Sequence, residues 1–391
     1  MQTGVSGAGR ITLFAKKEIS LKIVWIVASL FTIISIWAYG HNYWAYVFAT
    51  IFLMLYAYGM FFKKVFTRCD NLDVLFLILI LFNLILGLIN GDVIGSLMVN
   101  TSLAMIISLS DIDINYRDFE KTIHRAVFAV LIISAILMLI RSSWNLNSLA
   151  LLIYSNSTIG FIWYKTARTN KQKLGAFALL VCLCLMLFVT ETRNTAVVII
   201  INVLLLLIPE KIYRNKFLFR LIYVIGILAT IFAIPIMQFI FSNKKILGWL
   251  IDFTTKVSDK EYGMSSHLDI LLRVQKDFAS LDLVEKLFGQ GVKLQHCHNI
   301  FYQTLFFYGY FGVALIYATY IYLFEIGYKL FTRNGDKLAL SCCIIMVGHF
   351  LMQCAETYML GSETVMITAL LPASIILNLN RRDKKNAIKG V

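Results

Sequence analysis

Few residues in this chain can do acid–base or ionic chemistry, and they fall in a handful of places. His296-Cys297-His298-Asn299 ends a polar stretch and runs directly into an apolar one, with Gly309 and Gly312 further along it. Histidine titrates near neutrality, so His298 is suited to take a proton from a hydroxyl group. Glu191 and Arg193 lie in the short segment Thr190-Glu-Thr-Arg-Asn194 between two apolar runs. A guanidinium held there needs an anion, either Glu191 itself or phosphate oxygens that it grips in a fork. Arg141 and Arg273 are further candidate cations for the same ligand. Asp111-Ile-Asp113 resembles the acid pair with which nucleotide-sugar transferases hold a metal, but its loop is too short to be such a domain.

Several chemistries are excluded or disfavoured. The sequence has neither a phosphate-cradling G-x-x-x-x-G-K-S/T loop nor a dinucleotide fingerprint, which argues against ATP-driven work. The cysteines are scattered with no paired spacing, and the two histidines around Cys297 have no further ligands at fixed spacing. No metal and no cofactor is expected.

The elements that must position these residues are membrane helices. The chain has 391 residues, 59% of them apolar and only 15% charged, and its mean hydropathy is +0.76, which lies outside the range of soluble domains. Apolar runs of about 18 residues recur along it, as expected of helical spans and not of a β-barrel. The reading is an all-α polytopic membrane protein in one domain. About twelve spans fall near 21–39, 43–62, 73–89, 93–109, 126–140, 148–163, 174–189, 195–208, 218–241, 300–324, 338–355 and 365–379. Nine spans therefore occupy 1–241, one long outer loop occupies 242–299, and three spans occupy 300–391. The first run follows three lysines and mimics a signal peptide, but it is too long for one. Pro235 is expected to kink the ninth span.

In a soluble protein the net charge of +14 would suggest nucleic acid; here the basic residues fix orientation instead. With the N-terminus inside, nearly every short loop rich in Lys and Arg falls on the inner side, and only Arg141 and Arg193 fall in short outer loops. Both termini are thus expected in the cytoplasm, with the long loop and His298 on the outer face. Within that loop Leu268, Leu271, Leu272 and Phe278 recur at helical spacing, as in a helix lying on the membrane surface. Gly289 and Gly291 mark a flexible turn ahead of the histidines, and Gly309 and Gly312 permit close helix packing.

His298-Asn299, nine residues, then Gly309-x-x-Gly312-Val313 resembles the signature of the O-antigen ligase and polymerase superfamily of bacterial envelope glycan assembly. The span count, the long outer loop and an Arg in a short outer hairpin are similar too. Two positions depart from the pattern: Val197 stands where Leu is usual, and Ser266 is followed by His267 instead of Arg. The resemblance implies a metal-independent, inverting, multi-span (GT-C-like) glycosyltransferase of the bacterial inner membrane, with an undecaprenyl-diphosphate-linked oligosaccharide as donor. On that reading His298 is the base or orienter for the acceptor hydroxyl and Arg193 lies on the diphosphate; Arg273, Arg141, Asn299 and Glu191 are further candidates for the substrate site, the pattern itself carrying over no loop arginine.

The energetics agree, because outside the inner membrane no nucleotide is supplied and the donor must arrive activated. The departing diphosphate then needs fixed cations. The shared motif leaves two acceptors open. A polymerase extends a lipid-linked repeat, with a chain-length regulator as candidate partner, whereas a ligase delivers the glycan to lipid A-core. The modest loop favours the polymerase. A lipid-linked oligosaccharide flippase is the rival from another class; it predicts mid-membrane charges and repeated halves, and the sequence displays neither.

Overall fold

The computed structural model describes residues 19–20, 23, 43–91, 93–116, 146–189, 193–243, 263–290, 297, 299–354 and 366–388. They are mostly helical. In chain order the helices are α1 (Tyr43–Arg68), α2 (Asn71–Ile89), α3 (Val93–Ser110), α4 (Leu146–Thr166), α5 (Asn170–Val189), α6 (Arg193–Leu207), the short α7 (Glu210–Tyr213), α8 (Lys216–Ile231), α9 (Ala233–Ser242), α10 (Gly263–Ser280), α11 (Leu283–Phe288), α12 (Ile300–Asn334), α13 (Lys337–Met352) and α14 (Met366–Ile388). Two-residue strands β1 (Ile19–Ser20) and β2 (Ile114–Asn115) pair in parallel. The apolar stretches near 21–39 and 126–140 lie outside the described residues, and the other ten fall on helices.

Among the described residues two helices, α2 and α12, are long and apolar enough to cross a membrane, and the bent pair α8–α9 makes a third if it counts as one span. On α2 the outward face is apolar as well as the buried one, and a polar side chain is turned inward. Asn83 is buried alongside Phe76, Leu79 and Ile80, while Ile78, Leu81, Ile85 and Leu88 face outward. A helix at a water-exposed surface turns its polar residues outward.

Charged side chains gather at one end of the bundle. Lys64 Nζ meets the buried Asp73 Oδ1 at 2.6 Å where α1 passes into α2. Arg220 forks onto Glu325 at 2.8 and 3.1 Å, Lys337 pairs with Glu210 at 3.0 Å, and Arg381 pairs with Asp111. Asn334 donates to Asp383 at 3.0 Å, tying the end of α12 to the end of α14. Asp111 is therefore engaged with an arginine, as expected of a polar loop residue.

Two of the expected spans are interrupted. α8 and α9 meet at Phe232 with a bend of 79°. Pro235 explains the place, because proline lacks the amide that would bond to the carbonyl four residues back, and its ring collides with that carbonyl. The second interruption, in α12, is at Gly309 (φ 62°, ψ −166°). In a straight helix Phe301 and Tyr317 would lie about 24 Å apart; their ring centroids are 6.4 Å apart. The chain over 300–308 thus folds back against the first turns of 310–334, and the stretch read as one span over 300–324 is instead a short arm followed by a long helix.

Candidate functional site

The site is built around Asn299, which caps the arm. Its backbone is extended, its side-chain oxygen accepts from the amides of Phe301 at 2.9 Å and Tyr302 at 3.2 Å, and its carbonyl accepts from Gln303 N at 3.0 Å. The amide of Ile300 donates to Gln353 O, at the end of α13, at 2.9 Å. Three of the four free amides of this helix start, those of Ile300, Phe301 and Tyr302, are thereby taken up by protein. An anion bound nearby would depend on cationic side chains and not on the helix end.

The other half of the Asn299 amide reaches the broken span. Nδ2 donates to Thr230 O at 3.1 Å, one residue before the end of α8. The Thr230 hydroxyl lies 2.7 Å from Tyr317 OH on the long part of α12. One buried asparagine therefore joins the start of the arm to the break between α8 and α9, where Thr230 offers a carbonyl that an unbroken helix would have satisfied itself.

Cys297 sits on the other side of residue 298. It is fully buried; its amide and thiol both donate to Gln303 Oε1, at 3.2 and 3.1 Å, and the thiol is also 3.3 Å from Asn299 O. Burial pushes its pKa up to about 12, so the sulfur is a neutral donor and no nucleophile. Both neighbours of residue 298 are consequently fixed by side-chain bonds.

The far end of the arm is held by two glycines. A Cβ on Gly309 would lie 2.4 Å from the Leu287 carbonyl, and one on Gly289 (φ 83°) 2.5 Å from the Phe307 carbonyl. Each glycine admits the other segment's backbone, and Gln290 N then donates to Phe306 O at 2.8 Å. Asn83 Nδ2 takes the Phe307 carbonyl at 3.2 Å, while Tyr308 OH donates to Asn100 Oδ1 at 2.7 Å. Gly309 was expected to serve packing alone; it also takes a backbone conformation closed to other residues. Gly312 does pack closely, with Tyr308 Cβ 1.9 Å from where its own Cβ would be.

α10 covers this assembly. Leu271, Val274 and Phe278 pack with Ile234, Tyr302, Leu305 and Phe306 around Cys297, and Arg273 is exposed on the opposite face. The amphipathic helix expected in the loop is present, but its apolar side is set on α9 and the arm and not on a membrane surface.

Of the other expected site residues, His298, Arg141 and Glu191 lie outside the described residues, as does the Arg193 side chain. The backbone of Arg193 opens α6, and the packing fixes which end that is. Glu210, just past α6, pairs with Lys337 at the start of α13, and further along Asn202 abuts Gly348. α6 and α13 are therefore antiparallel. Arg193, about 13 Å beyond Asn202, opens α6 at the same end of the bundle as Gln353 and Ile300. Asn299 is wholly buried with its bonding groups engaged, so its part is to hold the backbone beside residue 298. Among the described residues no three His, Cys, Asp or Glu side chains converge as a metal-ligand set.

The sequence reading missed Thr230, Tyr317 and Gln353 as partners of the motif. The one signal present was Asn299 itself, a favourable helix cap just before an apolar run. No protein-family model matches the chain, and no curated protein matches its sequence.

Proposed function

We propose that this chain is a polytopic inner-membrane glycosyltransferase with about twelve spans. It joins lipid-linked glycans on the outer face, using an undecaprenyl-diphosphate-linked oligosaccharide as donor. The observation that carries the reading is the junction at Asn299. Two interrupted helices meet at the residue next to His298, at the end of the bundle where α6 opens with Arg193. Interrupted helices are tolerated at membrane depth where they are buried in protein or line a polar cavity. Here the rigid frame around residue 298 suits a base that must meet an acceptor hydroxyl in one geometry.

In this reading His298 takes the proton of the acceptor hydroxyl while the oxygen attacks the anomeric carbon. The carbon–oxygen bond to the diphosphate breaks, and the diphosphate leaves with the electron pair. Arg193 steadies that charge, with Arg273 and Arg141 as further cations and Glu191 orienting Arg193. The acceptor is a second lipid-linked repeat, which makes the chain a surface-polysaccharide polymerase; lipid A-core as acceptor would make it a ligase.

The test is incubation of the purified protein with lipid-linked repeats, with and without lipid A-core. Longer lipid-linked chains without core support the polymerase, and product only with core supports the ligase. His298→Ala and Arg193→Ala should each abolish product while the protein stays folded; full activity in His298→Ala would remove the catalytic assignment. Movement of intact repeats across vesicles without bond formation would favour the flippase instead.

A further inference from the structure

α11 (Leu283–Phe288) lies in the loop read as extramembranous, yet it carries its apolar side chains outward. Leu283 is 71% exposed, Val284 64% and Leu287 41%. Its acidic residue is half-buried and spent on the helix's own start and end: Glu285 accepts from Asp282 N at 3.2 Å in a capping box and from Gln290 Nε2 at 3.3 Å. A loop helix in water would be built the other way round.

The position of α11 resolves this. α2 is 19 residues long, about 28 Å, close to the roughly 30 Å of a hydrocarbon core. The ring of Phe288 meets that of Phe82, at 5.1 Å, about 10 Å before the end of α2. Gly289 is tucked onto Phe307, whose carbonyl is held by Asn83 on the same turn of α2. Asn90, just past α2, donates to the Gln290 carbonyl. The C-terminal end of α11 is thus pinned against the last two turns of α2, within the thickness that α2 spans. Ile85, Leu88 and Ile89, on those same last two turns of α2, are exposed as well.

We infer that α11 is inserted in the outer leaflet, with Leu283, Val284 and Leu287 among the acyl chains. This rests on the reading of α2 as a membrane span. The consequence is mechanical, because α11 ends in the glycine clamp at Gly289 and Gly309 that folds back the arm of α12. The leaflet then serves as the wall against which the site is assembled.

The full-length protein reconstituted in phospholipid vesicles would carry the photoreactive residue p-benzoylphenylalanine in place of Val284, Ile85 or Gln275, one at a time. Gln275 is an exposed polar residue of α10, and Ile85 lies on the outward face of α2. Lipid adducts at positions 284 and 85 in comparable yield, with none at 275, are the expected result. Adducts at 85 but none at 284, or protein cross-links at 284, would overturn the insertion of α11 while leaving the span intact. Absence of lipid adducts at 85 would overturn the membrane reading of α2, and the inference with it.

Discussion

Replacing Gly309 by alanine tests the fold-back directly. At φ 62° and ψ −166° the backbone occupies a region that is essentially glycine's alone, and strain there costs about 1–3 kcal/mol. The added Cβ would also press on the Leu287 carbonyl and the Phe288 amide, 2.4 Å away. Backbone on both sides cannot yield as a flexible side chain would, so overpacking adds about 1–3 kcal/mol. The sum, about 2–6 kcal/mol, is a large share of the 5–15 kcal/mol typical of whole domains. Gly309→Ala should therefore lower the temperature at which the detergent-solubilised protein loses its monodisperse peak, and Gly289→Ala should do so by a similar amount. A companion measurement leaves both glycines in place: cysteines at Phe301 and Tyr317 should be joined by a short bifunctional thiol reagent, identified by peptide mass spectrometry. In a straight helix they would be about 24 Å apart and beyond its reach. An unshifted transition in Gly309→Ala together with no cross-link would refute the fold-back.

Three further outcomes follow from the same packing. Asn299→Ala removes a helix cap and strands the Thr230 carbonyl, for a combined loss of about 2–4 kcal/mol in thermal unfolding; an unchanged transition would mean that the junction is not formed. Asp73→Ala leaves Lys64, 4% exposed, with only the exposed Asp70 carboxylate at 3.5 Å in place of the partner at 2.6 Å, for a loss of at most about 3–5 kcal/mol, the cost of breaking a buried pair outright; Asp73→Ala with Lys64→Met should recover part of that loss. Cys297 stays protonated below its raised pKa of about 12 and is fully buried, so a maleimide at pH 8 should leave it unlabelled while reacting with the exposed Cys69; rapid labelling of Cys297 would contradict the enclosure of the motif.

Much of this was legible in the sequence, in the form that composition can carry. Apolar run lengths place helices, because a helix needs a nearly continuous stretch of such residues whether or not it is straight. The spacing of Leu271 and Phe278 gave the amphipathic α10, since one side of a helix repeats every three or four residues. Pro235 announced a bend because its effect is covalent and local. Gly309 announced nothing comparable. A glycine between aromatic residues reads equally well as a close helix contact or as a reversal, and the choice depends on Leu287 and Phe288, which approach from a distant part of the chain. Thr230 and Gln353 were illegible for the same reason: each contributes a backbone carbonyl, which every residue possesses and no sequence pattern marks.

The interruptions also explain why the motif is polar at its start and glycine-bearing at its middle. A helix that begins inside a bundle must satisfy its first amides without water, and Asn299 with the Gln353 carbonyl does so for those of Ile300, Phe301 and Tyr302. A helix that reverses after nine residues frees carbonyls at its end, and Gln290 N and Asn83 Nδ2 receive those of Phe306 and Phe307. The reversal itself needs positive φ, which only Gly309 supplies without strain. Cap, clamp and hinge are thus three requirements of one short arm, and together they fix the Asn299-to-Gly309 spacing. In the proposed enzyme that arm has one purpose. It holds the backbone of Asn299, next to the histidine proposed to meet the acceptor hydroxyl, through bonds to two other helices.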